Sequence, residues 1–243
     1  RVPALMDFPP LNVHSHCSRG WGLPDVEALC RTARALGMER LALTDTNGLY
    51  GLLPFLEAAQ REGVQPIVGS ELTAGRHRAV LLVRNADGYA GLCRLISSRH
   101  CDPDFDLAAS LREHRRGLIV LSDDADVLKV LRRDGVEDLF VEMSPGYGMS
   151  RCYALSRRTG LPPVATNRVC LLRRDEFPLH RVLRAVALNT KLSRLAPEDT
   201  ARDHNTLCPA RAMIDRFPHA PQAIRNTAVV AARCRTDWPF DRL

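Results

Sequence analysis

The sequence predicts an α/β protein built as a closed or nearly closed parallel barrel. Seven short apolar runs alternate with amphipathic helical patterns along its 243 residues. Most of these runs are continuously apolar, which is typical of parallel strands buried on both faces. Seven such units in one chain favour a barrel over an open sheet. We predict a single domain over 1–243, with the barrel at about 11–188 and C-terminal helices at about 209–234.

Each element follows from its pattern of apolar residues and from the residues that end it. The strands are predicted at 11–16, 40–45, 66–72, 79–85, 117–123, 139–144 and 162–167. The helices are predicted at 25–37, 52–63, 88–100, 124–135, 148–159, 174–188, 209–217 and 219–234. The first two helices end at Gly37 and Gly63, and glycine is the common residue just after a helix C-terminus.

Composition narrows the classes of protein that the chain can belong to. Hydrophobic residues make up 45% and charged residues 26%, so a folded domain is expected. The net charge of +6 is compatible with nucleic acid or another polyanion, although an arginine-rich composition without a partner explains it equally well. No two of the eight cysteines form a C-x-x-C pair, which argues against a zinc ribbon. Without a signal peptide or a long apolar run, we expect a cytoplasmic protein with no membrane span.

Polar side chains stand at almost every predicted strand end. They are His14, His16, Asp45, Glu71, Asn85, Asp123, Asp124, Glu142 and Asn167. In a parallel barrel the carboxyl ends of the strands meet at one face, which is where active sites form. We therefore expect these groups to gather at one rim.

Two histidines in this set suggest a metal site. His14 and His16 are two residues apart on a predicted strand, so both would point to the same face, with Asp45 and Glu71 as further ligands. An H-x-H pair is a weak signal, because one histidine can cap a loop while the other is solvated. Asp45 also fits a turn, and Asp124 fits the cap of the following helix.

Several segments together resemble one known family. They are VHSHCS, ALGMERLALTDTNGLYG, PIVGSEL, LLVRNADGYAGLCRLIS, RRGLIVLSD, LPPVATNRVCLLRRDEFPLHRVL and PQAIRNTAVVAARC. The chain from about Leu11 to Arg235 resembles the PHP (polymerase and histidinol phosphatase) domain at the N-terminus of bacterial DNA polymerase III alpha subunits, including the error-prone kind. The resemblance implies a distorted seven-stranded βα barrel of TIM-like form.

The resemblance also implies a degenerate metal site. Metal-binding members hold up to three metals with His, Asp, Glu and Cys side chains. Here His14 and Glu71 match those ligands, and Asp124 stands in place of a cysteine. At the remaining ligand positions the sequence has Asn12, Trp21, Thr46, Arg78, Arg168 and Cys170. His16 falls outside the family register and is an extra histidine beside the pocket, and Asp45 is counted among the pocket residues.

We therefore expect no bound metal cofactor and no hydrolysis, with Arg78 and Arg168 paired to Glu71 and Asp124. The implied role is a structural and docking domain in DNA replication or translesion synthesis. Its partners would be polymerase core domains of the same or a partner chain, replication or mutagenesis proteins, and DNA. One alternative is an active metal-dependent phosphoesterase or 3′–5′ exonuclease with a reduced zinc or manganese site. Another is a stand-alone paralogue that binds nucleotide or nucleic acid, with phosphate at Arg78 and Arg168.

Overall fold

The computed structural model describes residues 8–236 of the chain. Within that range six strands form one sheet: β1 (Arg40–Leu43), β2 (Gln65–Ala74), β3 (His77–Val83), β4 (Leu118–Ser122), β5 (Leu139–Met143) and β6 (Pro163–Ala165). The single domain predicted over 1–243 extends beyond the described residues at both ends, and it stays a prediction.

Nine α-helices of the described range lie before, between or after these strands. They are α1 (Val26–Ala35), α2 (Leu52–Glu62), α3 (Ala86–Cys101), α4 (Leu107–His114), α5 (Ala125–Arg132), α6 (Met149–Thr159), α7 (Phe177–Ala187), α8 (Ala210–Arg216) and α9 (Pro221–Arg233). All eight predicted helices are present, and α4 was missed. The carboxylate of Asp106 caps α4 by accepting a hydrogen bond from the Ala109 amide. None of the described helices is long and apolar enough to cross a membrane.

The sheet is not wholly parallel, which corrects the prediction. Its strand order follows the sequence, but β3 runs antiparallel to both β2 and β4, while the other three pairs are parallel. Only Gly75 and Arg76 separate β2 from β3, and so short a connection permits only a hairpin. Gly75 adopts φ +56°, a conformation that glycine accepts without a steric penalty.

The predicted strand at 11–16 is not formed as a strand. Instead, an extended segment bonds to both edges of the sheet. Pro10 and Val13 accept hydrogen bonds from the β1 side, and Asn12 and His14 bond to Val169 beyond β6. A regular ladder does not form, because the Val13 amide donates its hydrogen bond to the Thr44 hydroxyl and because Pro10 has no N–H to donate. The segment still curls the sheet round by joining its two edges.

The barrel interior is apolar and is filled from alternate strand positions. Val80 and Leu82 of β3 pack there against residues of the neighbouring strands, whereas Ala79 and Leu81 face the helices. By the two-residue period of a strand, Arg78 points to the barrel interior and His77 points away from it. Arg78 therefore lies at the polar end of the apolar core.

Candidate functional site

The polar end of the barrel gathers side chains from all six strands or their flanking residues. Because β3 is reversed, Arg78, the second residue of this strand, lies at the same end as the carboxyl termini of the other strands. For the same reason Asn85 does not join the site, contrary to expectation. It lies at the opposite end of β3, where its side chain accepts a hydrogen bond from the Gly88 amide and caps α3.

Arg78 is the centre of this site, and its guanidinium binds three carboxylates. Its Nη1 donates to Glu71 Oε2 at 2.5 Å, and its Nη2 donates to Asp123 Oδ1 at 2.8 Å and to Glu142 Oε2. The Arg78 side chain is 15% exposed, and that of Glu142 is 0% exposed. Charged groups so well buried are stable only when they are paired. The surrounding carboxylates raise the pKa of Arg78 despite its burial.

A second arginine completes what we call the Arg78 cluster, which comprises Arg78, Arg168, Glu71, Asp123 and Glu142. Arg168 Nη2 donates to Asp123 Oδ2 at 2.6 Å and lies 3.5 Å from Glu142 Oε2. Its guanidinium carbon lies 4.3 Å from the centre of the Tyr147 ring, which is within cation–π range. Arg78 and Arg168 therefore hold Asp123 from both sides and lower the pKa of its carboxyl, although burial alone would raise it.

Asp124 lies outside the cluster, although the sequence suggested it as a ligand and as a partner of the arginines. Its Oδ1 accepts hydrogen bonds from the amides of Asp126 and Val127 and so caps α5. Its Oδ2 lies 2.7 Å from His77 Nδ1, on the outer side of the barrel wall. The preceding residue, Asp123, points inward and takes the predicted arginine contacts.

Glu142 is the most deeply buried acid of the cluster. Its Oε1 accepts hydrogen bonds from Asn12 Nδ2 at 2.9 Å and from the Thr166 hydroxyl at 2.7 Å. Asn12 Nδ2 also donates to Glu71 Oε2 at 3.3 Å. The asparagine thus bridges two carboxylates. Burial would raise the pKa of Glu71, but the Arg78 charge outweighs it, so the Glu71 pKa lies below its usual value.

His14 lies beside the cluster and is 1% exposed. Its Nδ1 is 3.0 Å from the Ser18 hydroxyl and 3.3 Å from the Thr46 hydroxyl, while its Nε2 is 3.9 Å from Glu71 Oε2. Burial lowers the pKa of His14, and the nearby Glu71 charge only partly opposes this effect. A neutral imidazole is therefore favoured at neutral pH.

Asp45 is used to hold the loop after His14. Its carboxylate accepts three short hydrogen bonds, from the Ser15 amide at 2.7 Å, the Ser15 hydroxyl at 2.8 Å and the Ser18 hydroxyl at 2.7 Å. The Ser18 hydroxyl in turn accepts from the Thr46 amide. These bonds give Asp45 a structural role, as its turn-type sequence suggested.

Two other predicted pocket residues do not join the cluster. His16 is exposed, and its Nε2 lies 3.7 Å from the sulfur of its neighbour Cys17. Cys170 is fully buried among apolar residues, with its sulfur 4.0 Å from the Asn205 carbonyl oxygen. Burial raises the pKa of the Cys170 thiol, which keeps it protonated and makes it a poor metal ligand.

The residues present do not fit a multinuclear metal centre. Of the family's ligand types, His14 and Glu71 remain, and Glu71 is already bound by Arg78. The other carboxylates of the cluster are likewise occupied by guanidinium groups, which lie where cations would have to bind. A second group of metal-ligand types, His77, Asp124 and Asp126, lies on the outer side, but Arg76 binds Asp126 at 2.6 Å.

Above the cluster opens a cleft of about 880 Å³, which we call the arginine cleft. Arginines predominate over carboxylates in its lining, and two aromatic side chains complete it. The charged and aromatic lining residues are Arg19, Arg78, Arg151, Arg168, Arg184, Arg202, Glu71, Asp123, Glu198, Trp21 and Tyr147. Burial raises the pKa of Tyr147 to about 12, so its hydroxyl stays neutral. The cleft is therefore cationic where a metal-dependent site would be anionic.

Comparison with known proteins agrees with the resemblance. The PHP domain family matches residues 10–143. The chain is 32% identical to the error-prone DNA polymerase of Symbiobacterium thermophilum, over 97% of this chain and 26% of that protein. It is 30% identical to DNA polymerase III subunit alpha of Vibrio cholerae, over 93% of this chain and 23% of that protein. The chain thus spans about a quarter of the length of these curated relatives.

A solved structure shares the fold. A two-domain protein from Bacteroides vulgatus, described as containing a predicted PHP-like metal-dependent phosphoesterase, superimposes with a TM-score of 0.53. The match covers 70% of this chain and 55% of that one at 14% identity, so it shows the fold alone.

Some site residues were missed or ranked too low at the sequence level. Glu142 and Asp123 stood among the strand-end acids, and a charged residue inside the apolar run LFVEM was a signal that Glu142 is buried and paired. No feature of the sequence indicated that Arg151 and Arg202 line the cleft, because arginines are frequent throughout this chain.

Proposed function

The chain belongs to the PHP domain family, and we propose that it is a non-hydrolytic member that serves as a structural and docking domain of a DNA polymerase III alpha-type protein. Its setting would be DNA replication or translesion synthesis, which implies a cytoplasmic location. Its partners would be polymerase core domains of the same or another chain, together with replication or mutagenesis proteins.

One observation carries the non-hydrolytic part of the proposal: Arg78 and Arg168 occupy the carboxylates of the site. Hydrolysis of a phosphoester by two metals requires cations about 4 Å apart that activate water and stabilise the leaving oxygen. A guanidinium stabilises negative charge but does not deliver hydroxide at neutral pH, since it remains protonated. His14 and Glu71 alone leave a divalent cation well short of the usual ligand number.

An exposed apolar stripe supports the docking part of the proposal. Leu179, Val182 and Val186 on α7 are 58%, 45% and 73% exposed, and their spacing of three and four residues aligns them along one helix face. Contiguous exposed apolar surface commonly marks a protein contact. The similarity to polymerases about four times longer supports a polymerase core as the partner.

Metal analysis combined with activity assays tests the proposal. We expect protein purified without chelator to carry zinc and manganese only below one equivalent. We also expect it to release no product from a phosphodiester substrate or a labelled oligonucleotide when manganese or zinc is added. A comparison variant, Thr46→His with Arg78→His, introduces two of the family's ligand types and removes the central guanidinium. It should retain more metal than the unaltered chain.

The rival function, an active phosphoesterase or 3′–5′ exonuclease with a reduced metal site, predicts the opposite result. In that case the unaltered chain would hold stoichiometric metal, and its activity would disappear on chelation and return with manganese. Loss of the same activity in His14→Gln would assign it to this site. Such a result would overturn the proposal.

A further inference from the structure

Three arginines of the arginine cleft differ from the two in the cluster beneath it. Arg19, Arg151 and Arg202 form no ion pair with a carboxylate among the residues that the structure describes. Arg19 and Arg151 are exposed, and Arg202 is half-buried, with its guanidinium carbon 5.8 Å from the centre of the Tyr147 ring. Their charges are thus not neutralised by the fold, unlike those of Arg78 and Arg168.

The same wall of the cleft carries a helix N-terminus. The segment Gly146–Gly148 lines the cleft, and both of its glycines have positive φ, +80° and +72°. Gly148 is the N-cap of the 11-residue helix α6, and no side chain caps that end. A Cβ on Gly148 would lie 3.7 Å from Arg151 Nε, so this guanidinium lies close to the first helical turn. Helix amide groups and an arginine therefore face the same space, an arrangement that favours anions.

The cationic surface continues beyond the cleft. A neighbouring groove of about 640 Å³ shares Arg78, Asp123 and Arg151 with the cleft and is also lined by Arg76, Arg158, Asp124 and Asp126. Asp126 is bound by Arg76, and Asp124 lies 2.7 Å from His77, so neither aspartate pairs with Arg151 or Arg158. Arg158 is exposed and has no carboxylate partner within the described chain. It lies seven residues after Arg151 on α6, which is about 10 Å along the helix axis. Two free arginines at this separation face different phosphates of one strand, not two oxygens of a single phosphate.

We infer that the arginine cleft and this adjoining groove form one channel that binds single-stranded nucleic acid through its phosphate backbone, with Arg151, Arg158 and Arg202 as the principal contacts. The cleft and the groove are both concave and meet at Arg78, Asp123 and Arg151, so an extended strand can lie along them. Proteins that bind single strands without sequence preference commonly use a cationic groove of this kind. Binding of this kind needs neither a metal nor hydrolysis, so it is independent of the docking role proposed above.

Fluorescence anisotropy with a labelled single strand of about 12 nucleotides tests the channel, since this length is within the usual site size. The test variant replaces Arg151, Arg158 and Arg202 with alanine in the 243-residue chain. The matched control replaces Arg31, Arg34 and Arg225, which are exposed residues of α1 and α9, and it loses the same charge. Both variants keep a formal net charge of +3, from the +6 of the unaltered chain, so a general charge effect acts on them equally.

Each phosphate contact contributes about 0.7 to the slope of log affinity against log salt for a single strand. We therefore expect the slope of the channel variant to be smaller in magnitude by about 2, and its affinity at about 50 mM salt to fall roughly a hundredfold. The control should retain most of the affinity and slope. Equal losses in the two variants, or no measurable binding by the unaltered chain, would overturn the inference.

Competition distinguishes the sources of phosphate. Unlabelled single strand should displace the probe at far lower concentration than thymidine monophosphate or inorganic phosphate, because only the strand spans Arg151 and Arg158. If the mononucleotide competes equally well per molecule, the site holds one phosphate and the proposed channel is wrong. Equal binding of a duplex of the same sequence would also contradict it. Unchanged thermal unfolding of both variants would show that the differences do not arise from misfolding.

Discussion

Replacing Arg78 with methionine should destabilise the fold more than any exposed charge change in this protein. Methionine fills a similar volume but leaves Glu71, Glu142 and Asp123 without the cation that bonds to all three. Arg168 still neutralises Asp123 at 2.6 Å, so the loss is smaller than three separate ion pairs. Removing one partner of a buried pair costs about 3–5 kcal/mol, and we expect a loss in this range.

The free energy of unfolding from urea denaturation measures this loss. Whole domains have about 5–15 kcal/mol of stability, so a cost of about 4 kcal/mol would move the urea midpoint by more than about 1 M. Arg76→Met is the matched control. Arg76 is the neighbouring exposed arginine, with a side chain 78% exposed, and it binds Asp126 at 2.6 Å. An exposed pair of this kind contributes about 0–1 kcal/mol.

The pH dependence separates lost charge pairing from lost packing. Without Arg78, burial and mutual repulsion raise the pKa of the remaining carboxylates, so one of them takes up a proton as the pH falls. The destabilisation should therefore be smaller at about pH 5 than at about pH 8. A loss below about 1 kcal/mol, equal to that of Arg76→Met, would refute the argument that Arg78 holds the site together. A larger but pH-independent loss would assign the effect to packing.

Two further predictions concern a buried histidine and the apolar helix face. Burial lowers the pKa of His180 from 6.5 to about 4, so the unfolded chain takes up a proton before the folded one, and stability is lost as the pH falls below 6.5. By linkage, the unaltered chain should lose about 2 kcal/mol of unfolding free energy between neutral pH and about pH 5. The unfolding free energy of His180→Gln, measured by urea denaturation, should fall less over the same pH range, and identical falls in the two proteins would contradict this. For docking, the double variant Val182→Glu with Val186→Glu should bind a separately expressed polymerase part of an alpha-subunit relative more weakly than the unaltered chain does, as measured by titration calorimetry. The control Val229→Glu, on the exposed side of α9, should bind as the unaltered chain does. Equal binding by the double variant, the control and the unaltered chain would contradict the proposed face.

The sequence predicted the order of the elements well because each depends on local patterns. Six of the seven predicted strand runs and the helix ends near Gly37 and Gly63 are determined within a few residues, and they appear at the expected places, whereas the run at 11–16 does not form a strand. The direction of β3 was not recognised, although only two residues separate it from β2. No helix was predicted between the strands at 66–72 and 79–85, and a connection that short cannot form a parallel crossover, so the hairpin turn at Gly75 was implied but not recognised.

The reversal of one strand had consequences for the predicted site. It removed Asn85 from the rim and brought Arg78 to it, which a rule based on strand carboxyl ends could not anticipate. The choice between Asp123 and Asp124 was also open at the sequence level. Both acids can cap the helix that follows, and only the way the chain leaves β4 determines which of them faces inward.

The charge balance of the Arg78 cluster explains why no single substitution is expected to restore metal binding at this site. Three carboxylates, from Glu71, Asp123 and Glu142, face two guanidinium groups and a histidine whose lowered pKa favours its neutral form. Removing one arginine leaves an excess of buried negative charge, while the other arginine still repels an incoming cation. A divalent cation could restore the balance only if ligands were added at the same time as guanidinium was removed, since each change alone leaves unpaired charge. The effect of replacing an arginine is therefore expected to depend on whether a ligand histidine is introduced as well. Stability and metal content should respond to the paired substitutions in a non-additive way.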